Sequence, residues 1–276
     1  MTSRTNIMVF FLILLIIFII LPVLAMRGRR NHPGMDALRG WSYAHRGLHD
    51  EALPENSMGS FRAALEQGYG IELDVHLLKD GSLAVIHDSD LKRVTGQEGC
   101  VEDLTAAELE NYRLCGTEET IPLFSQVLEL YQGKAPLIVE VKVHDNNFAA
   151  VTEATCKLLE QYDGAYCLES FDPRSVLWLK QHRPELIRGQ LTENYFLSRP
   201  SYPRPLWFIM RHQLANFLTR PDFVAYRFQD RNSTISNQLV RKLWGVQGVA
   251  WTLRTRDEYD TAVAEGWLPI FENFIP

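Results

Sequence analysis

Apolar and polar positions alternate regularly along most of the chain after residue 40. Short apolar runs with the two-residue period of a strand are separated by longer stretches with the 3.6-residue period of an amphipathic helix. The predicted strands are Trp41–His45, Ile71–Val75, Leu83–His87, Leu137–Lys142, Ala165–Glu169, Ile187–Leu191, Phe223–Tyr226, Gly248–Leu253 and Pro269–Glu272. The predicted helices are Ser57–Gln67, Phe124–Tyr131, Asn147–Gln161, Pro173–Lys180, Ser236–Leu243 and Arg256–Ala264. Such alternation is typical of βαβ units around a parallel sheet.

The nine predicted strands exceed by one the eight that close a (β/α)8 barrel. We predict that Leu83–His87 lies outside the barrel, in a hairpin that follows the second barrel strand. Residues 88–122 lack long periodic elements and hold one short predicted helix, Thr105–Tyr112, which begins with the capping-box pair Thr105 and Glu108. The pattern therefore predicts an α/β fold, a (β/α)8 TIM barrel with a small insertion after its second strand. The active site would lie at the C-terminal ends of the strands.

A long apolar segment, Ile7 to Met26, precedes the periodic region. A helix of about 20 residues crosses the hydrocarbon core of a bilayer. Because the run exceeds the apolar region of a secretory signal, we predict one transmembrane anchor over residues 1–26, with a cleaved signal as the alternative. We predict that residues 27–40 form a basic linker and that residues 41–276 form the enzyme domain. Arg27, Arg29 and Arg30 outnumber Arg4, so the positive-inside rule predicts that this domain is cytoplasmic.

Composition narrows the class of protein. The 276 residues are 46% hydrophobic and 22% charged, as in an ordinary globular protein, and a net charge of −6 argues against nucleic-acid binding. The four cysteines, Cys100, Cys115, Cys156 and Cys167, contain no Cys-x-x-Cys pair, so the sequence does not predict zinc. Reduced thiols are favoured, with a Cys100–Cys115 disulfide as the alternative.

Two carboxylates indicate a metal site. Glu72 and Asp74 are two positions apart in a predicted strand, so both side chains leave the same face. They repel each other unless a positive charge lies between them, and oxygen ligands suit Mg²⁺ or Ca²⁺. We therefore predict one divalent cation; a ladder of carboxylates paired with Lys or Arg is the alternative.

Two histidines and an arginine flank these carboxylates along the chain. Imidazole titrates near neutral pH, so His45 and His87 suit an acid–base pair, with His45 as the base and His87 as the acid. The guanidinium fork of Arg46 matches a phosphate group. Together these residues predict cleavage of a phosphate ester.

The chain resembles the glycerophosphodiester phosphodiesterase family through five motifs that occur in the family's order. They are the set His45-Arg46, Glu72-x-Asp74 and His87, then Pro54-Glu55-Asn56-Ser57, Lys79-Asp80-Gly81, Val139-Glu140-Val141-Lys142 and Trp251-Thr252. The resemblance implies that Glu140 is a third metal ligand and that Lys142 contacts the phosphate. It also implies that Glu55 and Asn56 lie near the metal or the acid–base pair. Trp251 would pack against the substrate. An internal Glu140–Lys142 ion pair and a core position for Trp251 are the alternatives.

The resemblance implies metal-dependent hydrolysis of glycerophosphodiesters to glycerol 3-phosphate and an alcohol. The alternative is a phospholipase D-like reaction on lysophospholipids or lipid-linked glycerophosphate polymers at the membrane, which the anchor favours. A non-catalytic binding protein with a relic site is a third hypothesis. The nucleophile is either water or a neighbouring glycerol hydroxyl.

Two features depart from the family or stay undecided. Many relatives carry an Asp near the end of the last barrel strand, where this chain has Glu272. Residues 192–217 form either an apolar rim that faces lipid or substrate, or a loop with a packed helix. Their large aromatic residues are Tyr195, Phe196, Tyr202, Trp207, Phe208 and Phe217.

Overall fold

The computed structural model describes residues 2–201 and 203–276, and its centre is a closed parallel barrel. Its strands are β1 (Tyr43–His45), β2 (Gly70–Leu77), β3 (Leu83–Val85), β4 (Leu137–Val141), β5 (Tyr166–Ser170), β6 (Arg188–Thr192), β7 (Phe223–Arg227), β8 (Gln247–Leu253) and β9 (Leu268–Phe271). β1 pairs with both β2 and β9, so the sheet closes. β3 pairs antiparallel with β2, which leaves eight parallel strands in the barrel. The predicted (β/α)8 fold and the hairpin are confirmed.

The helices lie largely where the sequence predicted them. The α-helices are Thr2–Leu15, Leu21–Ala25, Met58–Glu66, Lys92–Thr95, Phe124–Tyr131, Phe148–Leu159, Pro173–His182, Tyr195–Ser198, Arg204–Arg211, Asn216–Thr219, Ile235–Gln238 and Arg256–Ala264. Short 3₁₀ helices span Pro33–Ala37, Val101–Asp103, Ala106–Asn111 and Phe228–Asp230, and π-helical turns span Ile16–Ile20 and Leu239–Leu243. The predicted helix Ser236–Leu243 is therefore an α-helical turn followed by a π-helical turn.

The main hydrophobic core lies between the barrel and its outer helices. Phe61 and Phe124 from the helices join Leu73 and Val139 from the strands in one fully buried cluster. Each such side chain contributes about 1.5–3 kcal/mol through burial. This packing gives the strand ends a rigid frame.

The insertion after β2 has a small core of its own, which includes Leu91, Val101 and Leu109. The predicted capping box is present, since the Thr105 N–H donates to Glu108 Oε2 at 2.8 Å. Ala84 of β3 belongs to the same cluster, so the insertion packs against the hairpin that leaves the barrel.

Residues 27–40, expected to be a linker, pack across the N-terminal ends of the barrel strands. Met35 and Leu38 are buried beside Ile187 and Leu268, and we call this apolar layer the barrel floor. Arg29 donates to Asp222 Oδ2 at 2.6 Å. The strand pattern gave no sign of this layer because its contacts are with residues far away in sequence.

The N-terminal helices form one continuous helical segment that is apolar and exposed. Within Arg4–Ala25, an 18-residue window has a mean hydropathy of 3.5 and no buried residue, and the 22-residue span is long enough to cross a membrane. Its C-terminal end contacts the barrel domain, because the Trp244 indole donates to Val23 O at 2.9 Å and Asn216 Nδ2 donates to Met26 O at 3.0 Å. Met1 of the predicted anchor lies outside the described residues.

Residues 192–217 contain helices and an exposed surface. Tyr195, Met210 and Ala215 are buried together, whereas Phe208 and Phe217 are more than half exposed. The stretch thus contains packed helices, and the apolar rim that would face lipid or substrate stays a prediction. Tyr202 lies outside the described residues.

Candidate active site

Three carboxylates meet inside the mouth of the barrel. Glu72 and Asp74 lie on β2, and strand pairing sets Asp74 beside Glu140 of β4. All three are buried, with exposed fractions of 3%, 1% and 6%. One oxygen from each lies within 4.8 Å of the others. The two-residue spacing in β2 and the strand register thus bring the predicted ligand set together.

One lysine supplies part of the counter-charge. Lys142 Nζ lies 2.9 Å from Asp74 Oδ1 and 2.9 Å from Glu140 Oε1. Burial lowers the pKa of Lys142, but Asp74 and Glu140 outweigh it, so the pKa is raised above its ordinary value. The Glu140–Lys142 ion pair considered from the sequence is therefore present.

Of the three carboxylates, Glu72 has the least nearby positive charge to offset its own negative charge. Burial and then repulsion from Asp74 and Glu140 raise its pKa well above the usual value. For Asp74, burial is outweighed by Lys142, and the pKa lies well below the usual range. Arg46 Nε also lies 3.5 Å from Asp74 Oδ2, so three buried carboxylates face one ammonium and one guanidinium group. The remaining negative charge is one that a divalent cation with oxygen ligands would offset. The residues fit such an ion.

His45 closes one side of this pocket. Its Nε2 lies 3.9 Å from Glu72 Oε2, and its Nδ1 lies 3.6 Å from Glu272 Oε1. Burial lowers the pKa of His45 to about 4, Arg46 adds to this, and Glu272 opposes it. His45 is therefore neutral at pH 7 and can accept a proton.

The backbone turn after β1 positions Arg46. Arg46 has a positive φ of 55°, and its N–H donates to the Glu72 carbonyl at 2.9 Å. Gly47 follows with φ 84°, where a Cβ atom would collide with Ser60. Only glycine fits there, which explains the His-Arg-Gly sequence in structural terms.

His87 lines the opposite wall of the site. Its Nδ1 lies 2.6 Å from Asp88 Oδ1, and it borders an open cleft of about 570 Å³ together with Glu140 and Lys142. Arg93 Nε donates to the other oxygen of Asp88. The His87 ring is thus attached to a carboxylate that a guanidinium holds.

Glu55 contacts arginines rather than the three carboxylates. Its Oε1 accepts from Arg46 Nη1 at 2.9 Å and from Arg93 Nη2 at 2.7 Å, and its Oε2 accepts from Arg93 Nη1 at 3.0 Å. Asn56, in contrast, reaches the carboxylates, because its Nδ2 donates to Asp74 Oδ2 at 2.9 Å. Glu55 thus reaches the site through Arg46, whereas Asn56 contacts the carboxylate cluster itself.

Trp251 is partly buried against the barrel interior. Its ring meets Phe171 edge to face at a centroid distance of 5.6 Å, and Phe171 lines the cleft. Among the described residues, its indole N–H has no hydrogen-bond acceptor. Trp251 thus combines a packing contact with an unused donor, which is compatible with both interpretations of its role.

Sequence reasoning missed or only partly identified four residues at this site. Glu272 was noted only as a replacement for an Asp, whereas Asp88 and Arg93 were not singled out. Glu169, on β5 beside Glu140, is buried, and burial with repulsion from Glu140 raises its pKa well above the usual value. Its position at the end of a predicted apolar strand was the available signal. No local pattern marked Arg93, because its partners lie elsewhere in the chain.

Comparison with known proteins identifies the family. The sequence profile of the Glycerophosphoryl diester phosphodiesterase family matches residues 45–275. A glycerophosphodiester phosphodiesterase of Bacillus altitudinis is 35% identical over 162 residues, which cover 54% of this chain and 65% of that protein. A lysophospholipase D of Rattus norvegicus is 36% identical over 132 residues, which cover 43% of this chain and 40% of that protein.

Solved structures of other proteins share this fold. A phosphodiesterase of Oleispira antarctica, solved with its product sn-glycerol 3-phosphate, superposes with a TM-score of 0.69 at 23% identity. The superposition covers 84% of this chain and 92% of that one. At this identity the likeness shows a shared barrel. With the profile match across the whole barrel domain, the chain belongs to the glycerophosphoryl diester phosphodiesterase family.

Proposed function

We propose that the protein hydrolyses glycerophosphodiesters to glycerol 3-phosphate and an alcohol, with one divalent cation, Mg²⁺ or Ca²⁺. The observation that carries the proposal is the meeting of Glu72, Asp74 and Glu140 in one buried cluster at the barrel mouth. His45 lies on one side of this cluster, and His87 lines the cleft beside it. Membership of the family supports the same reaction.

The mechanism follows from the charges at the mouth. A cation held by Glu72, Asp74 and Glu140 would stabilise the charge that builds up on a phosphate oxygen in the transition state. Arg46 and Lys142 would hold the phosphate itself. Trp251 would pack against the substrate, and Asn56 keeps Asp74 in place.

Proton transfer is assigned to the two histidines. His45 is neutral at pH 7 because burial lowers its pKa, so its ring accepts a proton from the nucleophile. Asp88 holds His87 Nδ1 at 2.6 Å, so Nε2 is the nitrogen that is left to donate a proton to the leaving oxygen. The nucleophile is water or a neighbouring glycerol hydroxyl, and the detection of a cyclic phosphate product would identify the second.

The test uses the full chain in detergent. Glycerophosphocholine and lysophosphatidylcholine are each supplied with Mg²⁺, with Ca²⁺ or with chelator, and glycerol 3-phosphate and free head group are measured. We expect metal-dependent release of glycerol 3-phosphate from the soluble diester. Activity should disappear in His87→Ala and in Glu72→Gln and remain in His182→Ala, a change at a histidine outside the cleft. A folded chain without turnover of either substrate would favour the binding-protein hypothesis.

Lysophospholipids are the second candidate substrates. The name of the rat relative, a lysophospholipase D, favours them. Phe196 and Leu197 are exposed in the segment after β6, where they could meet an acyl chain. Release of choline from lysophosphatidylcholine alone, with glycerophosphocholine intact, would replace the first proposal with this one.

We infer that residues 1–26 anchor the chain in a membrane, that residues 27–40 connect it to the barrel domain of residues 41–276, and that this domain is cytoplasmic. The 22-residue apolar span and the arginines that follow it support this arrangement. Cys115 is exposed and gives a direct test. A membrane-impermeant maleimide should label it only after intact cells are lysed, with Cys115→Ser as the control. Labelling of intact cells would place the domain outside.

A further inference from the structure

A second group of metal-ligating side chains lies outside the phosphodiesterase site. Cys100 comes from the insertion, just before the 3₁₀ turn that contains Glu102, and His144 follows β4. One ligand atom from each of the three residues lies within 4.8 Å of the others. These three residues share no member with the carboxylate cluster at the barrel mouth.

The distances approach those of a tetrahedral zinc site. Cys100 Sγ lies 3.8 Å from His144 Nε2 and 2.9 Å from Glu102 Oε2. With zinc bonds of about 2.3 Å to sulfur and about 2.1 Å to nitrogen or oxygen, the edge of a tetrahedron between two such ligands is about 3.6 Å. The sulfur–nitrogen distance of 3.8 Å is close to this edge, and the sulfur–oxygen distance of 2.9 Å is about 0.7 Å shorter than it.

Neighbouring groups orient these ligands. Ser89 Oγ lies 3.0 Å from His144 Nδ1, and the other ring nitrogen, Nε2, lies 3.8 Å from Cys100 Sγ and 3.3 Å from Asp145 Oδ2. His76 Nδ1 lies 2.6 Å from Glu102 Oε1, so the second oxygen of this carboxylate is the one beside the thiol. Metal-binding histidines and carboxylates usually have such outer hydrogen bonds, which fix their orientation.

We propose that Cys100, Glu102 and His144 bind Zn²⁺ at a site separate from the catalytic cation. One thiol, one imidazole and one carboxylate are a ligand set for zinc rather than for Mg²⁺ or Ca²⁺, which take oxygen ligands only. Binding forms a sulfur–zinc bond and releases the thiol proton to solvent, with no change of oxidation state. The sequence did not predict this site because its ligands come from positions 100, 102 and 144 without a Cys-x-x-Cys pair.

Three protein ligands leave a fourth position open. Ser89, which bonds both Glu102 and His144, lines the same cleft as His87. The open position is therefore expected to face water near the cleft. The proposal does not rest on phosphodiesterase activity, because it concerns binding alone.

Co²⁺ provides the test, since a cobalt–thiolate bond gives a charge-transfer band in the near ultraviolet that oxygen ligands do not give. The full chain in detergent is titrated with Co²⁺ under reducing conditions. We expect the band in the wild type, in Cys115→Ser and in Glu72→Gln, which disrupts only the carboxylate cluster. Cys100→Ser should abolish the band, and one equivalent of Zn²⁺ should remove it from the wild type.

Further variants separate a lost ligand from a lost fold. His144→Ala should weaken Co²⁺ binding at least about tenfold, because even substitutions of outer hydrogen-bonding partners cost 10–100-fold. Each variant is checked by thermal unfolding in chelator. A wild-type chain without the band, or a band that survives Cys100→Ser, overturns the proposal and leaves the cluster a hydrogen-bonded network.

Discussion

His45 Nδ1 lies 3.6 Å from Glu272 Oε1, although 226 positions separate the two residues along the chain. The pairing of β1 with β9 brings them together at the point where the barrel closes. Glu272 also lies 3.2 Å from His49 Nε2 and 2.7 Å from Arg254 Nη2. The Glu272 carboxylate is therefore placed to orient the proposed base.

Replacing Glu272 tests this orientation. We expect Glu272→Gln to lower kcat about tenfold, near 1.4 kcal/mol, because His45 loses a charged partner, while KM changes little. Glu272→Asp keeps the charge and should retain more activity than Glu272→Gln. Steady-state kinetics on glycerophosphocholine give both constants, and an unchanged kcat in Glu272→Gln would show that Glu272 only closes the barrel.

Arg93 links the two halves of the site. On one side it bonds Glu55, which accepts from Arg46. On the other side it bonds Asp88, which contacts His87. Lysine cannot reproduce this forked contact. We expect Arg93→Lys to lower kcat/KM at least about tenfold, with KM rising through Arg46 and kcat falling through His87.

The neighbouring change Lys92→Ala is the matched control, since Lys92 is exposed and pairs with Glu98. Arg93 is about half exposed, so its ion pairs contribute little to stability and the unfolding temperature should hardly move. Wild-type kinetics in Arg93→Lys would rule out a positioning role.

Glu72 is predicted to destabilise the metal-free protein at neutral pH. Its folded pKa is raised, so its contribution to stability is present below pH 4.5 and is lost as the pH rises. In chelator, Glu72→Gln should therefore be more stable than the wild type by about 1–3 kcal/mol at pH 7, with the difference shrinking towards pH 4.

Denaturant unfolding at the two pH values measures this difference. Added Mg²⁺ or Ca²⁺ should then stabilise the wild type and leave Glu72→Gln nearly unchanged. If the metal stabilises both equally, its site lies elsewhere.

Glu102 should have the opposite pH dependence. Hydrogen bonds from His76, Cys100 and Ser89 outweigh burial and lower its pKa from 4.5 to about 2, so its stabilisation is complete above pH 4.5 and is lost as the pH falls towards 2. Glu102→Gln should cost about 2 kcal/mol at pH 7 and much less at pH 2.5. Unfolding curves in chelator decide this, and a pH-independent difference would contradict it.

Much of the fold could be predicted because strand and helix periods are local. The nine strand runs and the ends of Phe124–Tyr131 and Arg256–Ala264 were read directly from apolar spacing. Residues 27–40 could not be assigned to the barrel floor, because a single turn such as Pro33–Ala37 has no period to detect. Contacts with residues far away in sequence determine where residues 27–40 lie.

The residues of the candidate site likewise fall into two groups, those that local sequence predicts and those that only the fold brings together. Glu72 and Asp74 follow from their two-residue spacing in a strand, and Glu140 follows from a motif. The contacts of Glu272 with His45 and of Arg93 with Glu55 depend on barrel closure and on the fold of the insertion. Neither is encoded in a short stretch of sequence.

The contacts of Trp244 and Asn216 with the end of the apolar helix bear on the route by which the proposed substrate would reach the site. The barrel floor lies next to this helix end, whereas the carboxylates lie at the far ends of strands that span roughly 17 Å for five residues. If the helix is embedded in a bilayer, the mouth opens away from it into water. Dissolved diesters then reach the carboxylates freely, while a lipid head group has to extend past the whole barrel wall before its phosphate can react.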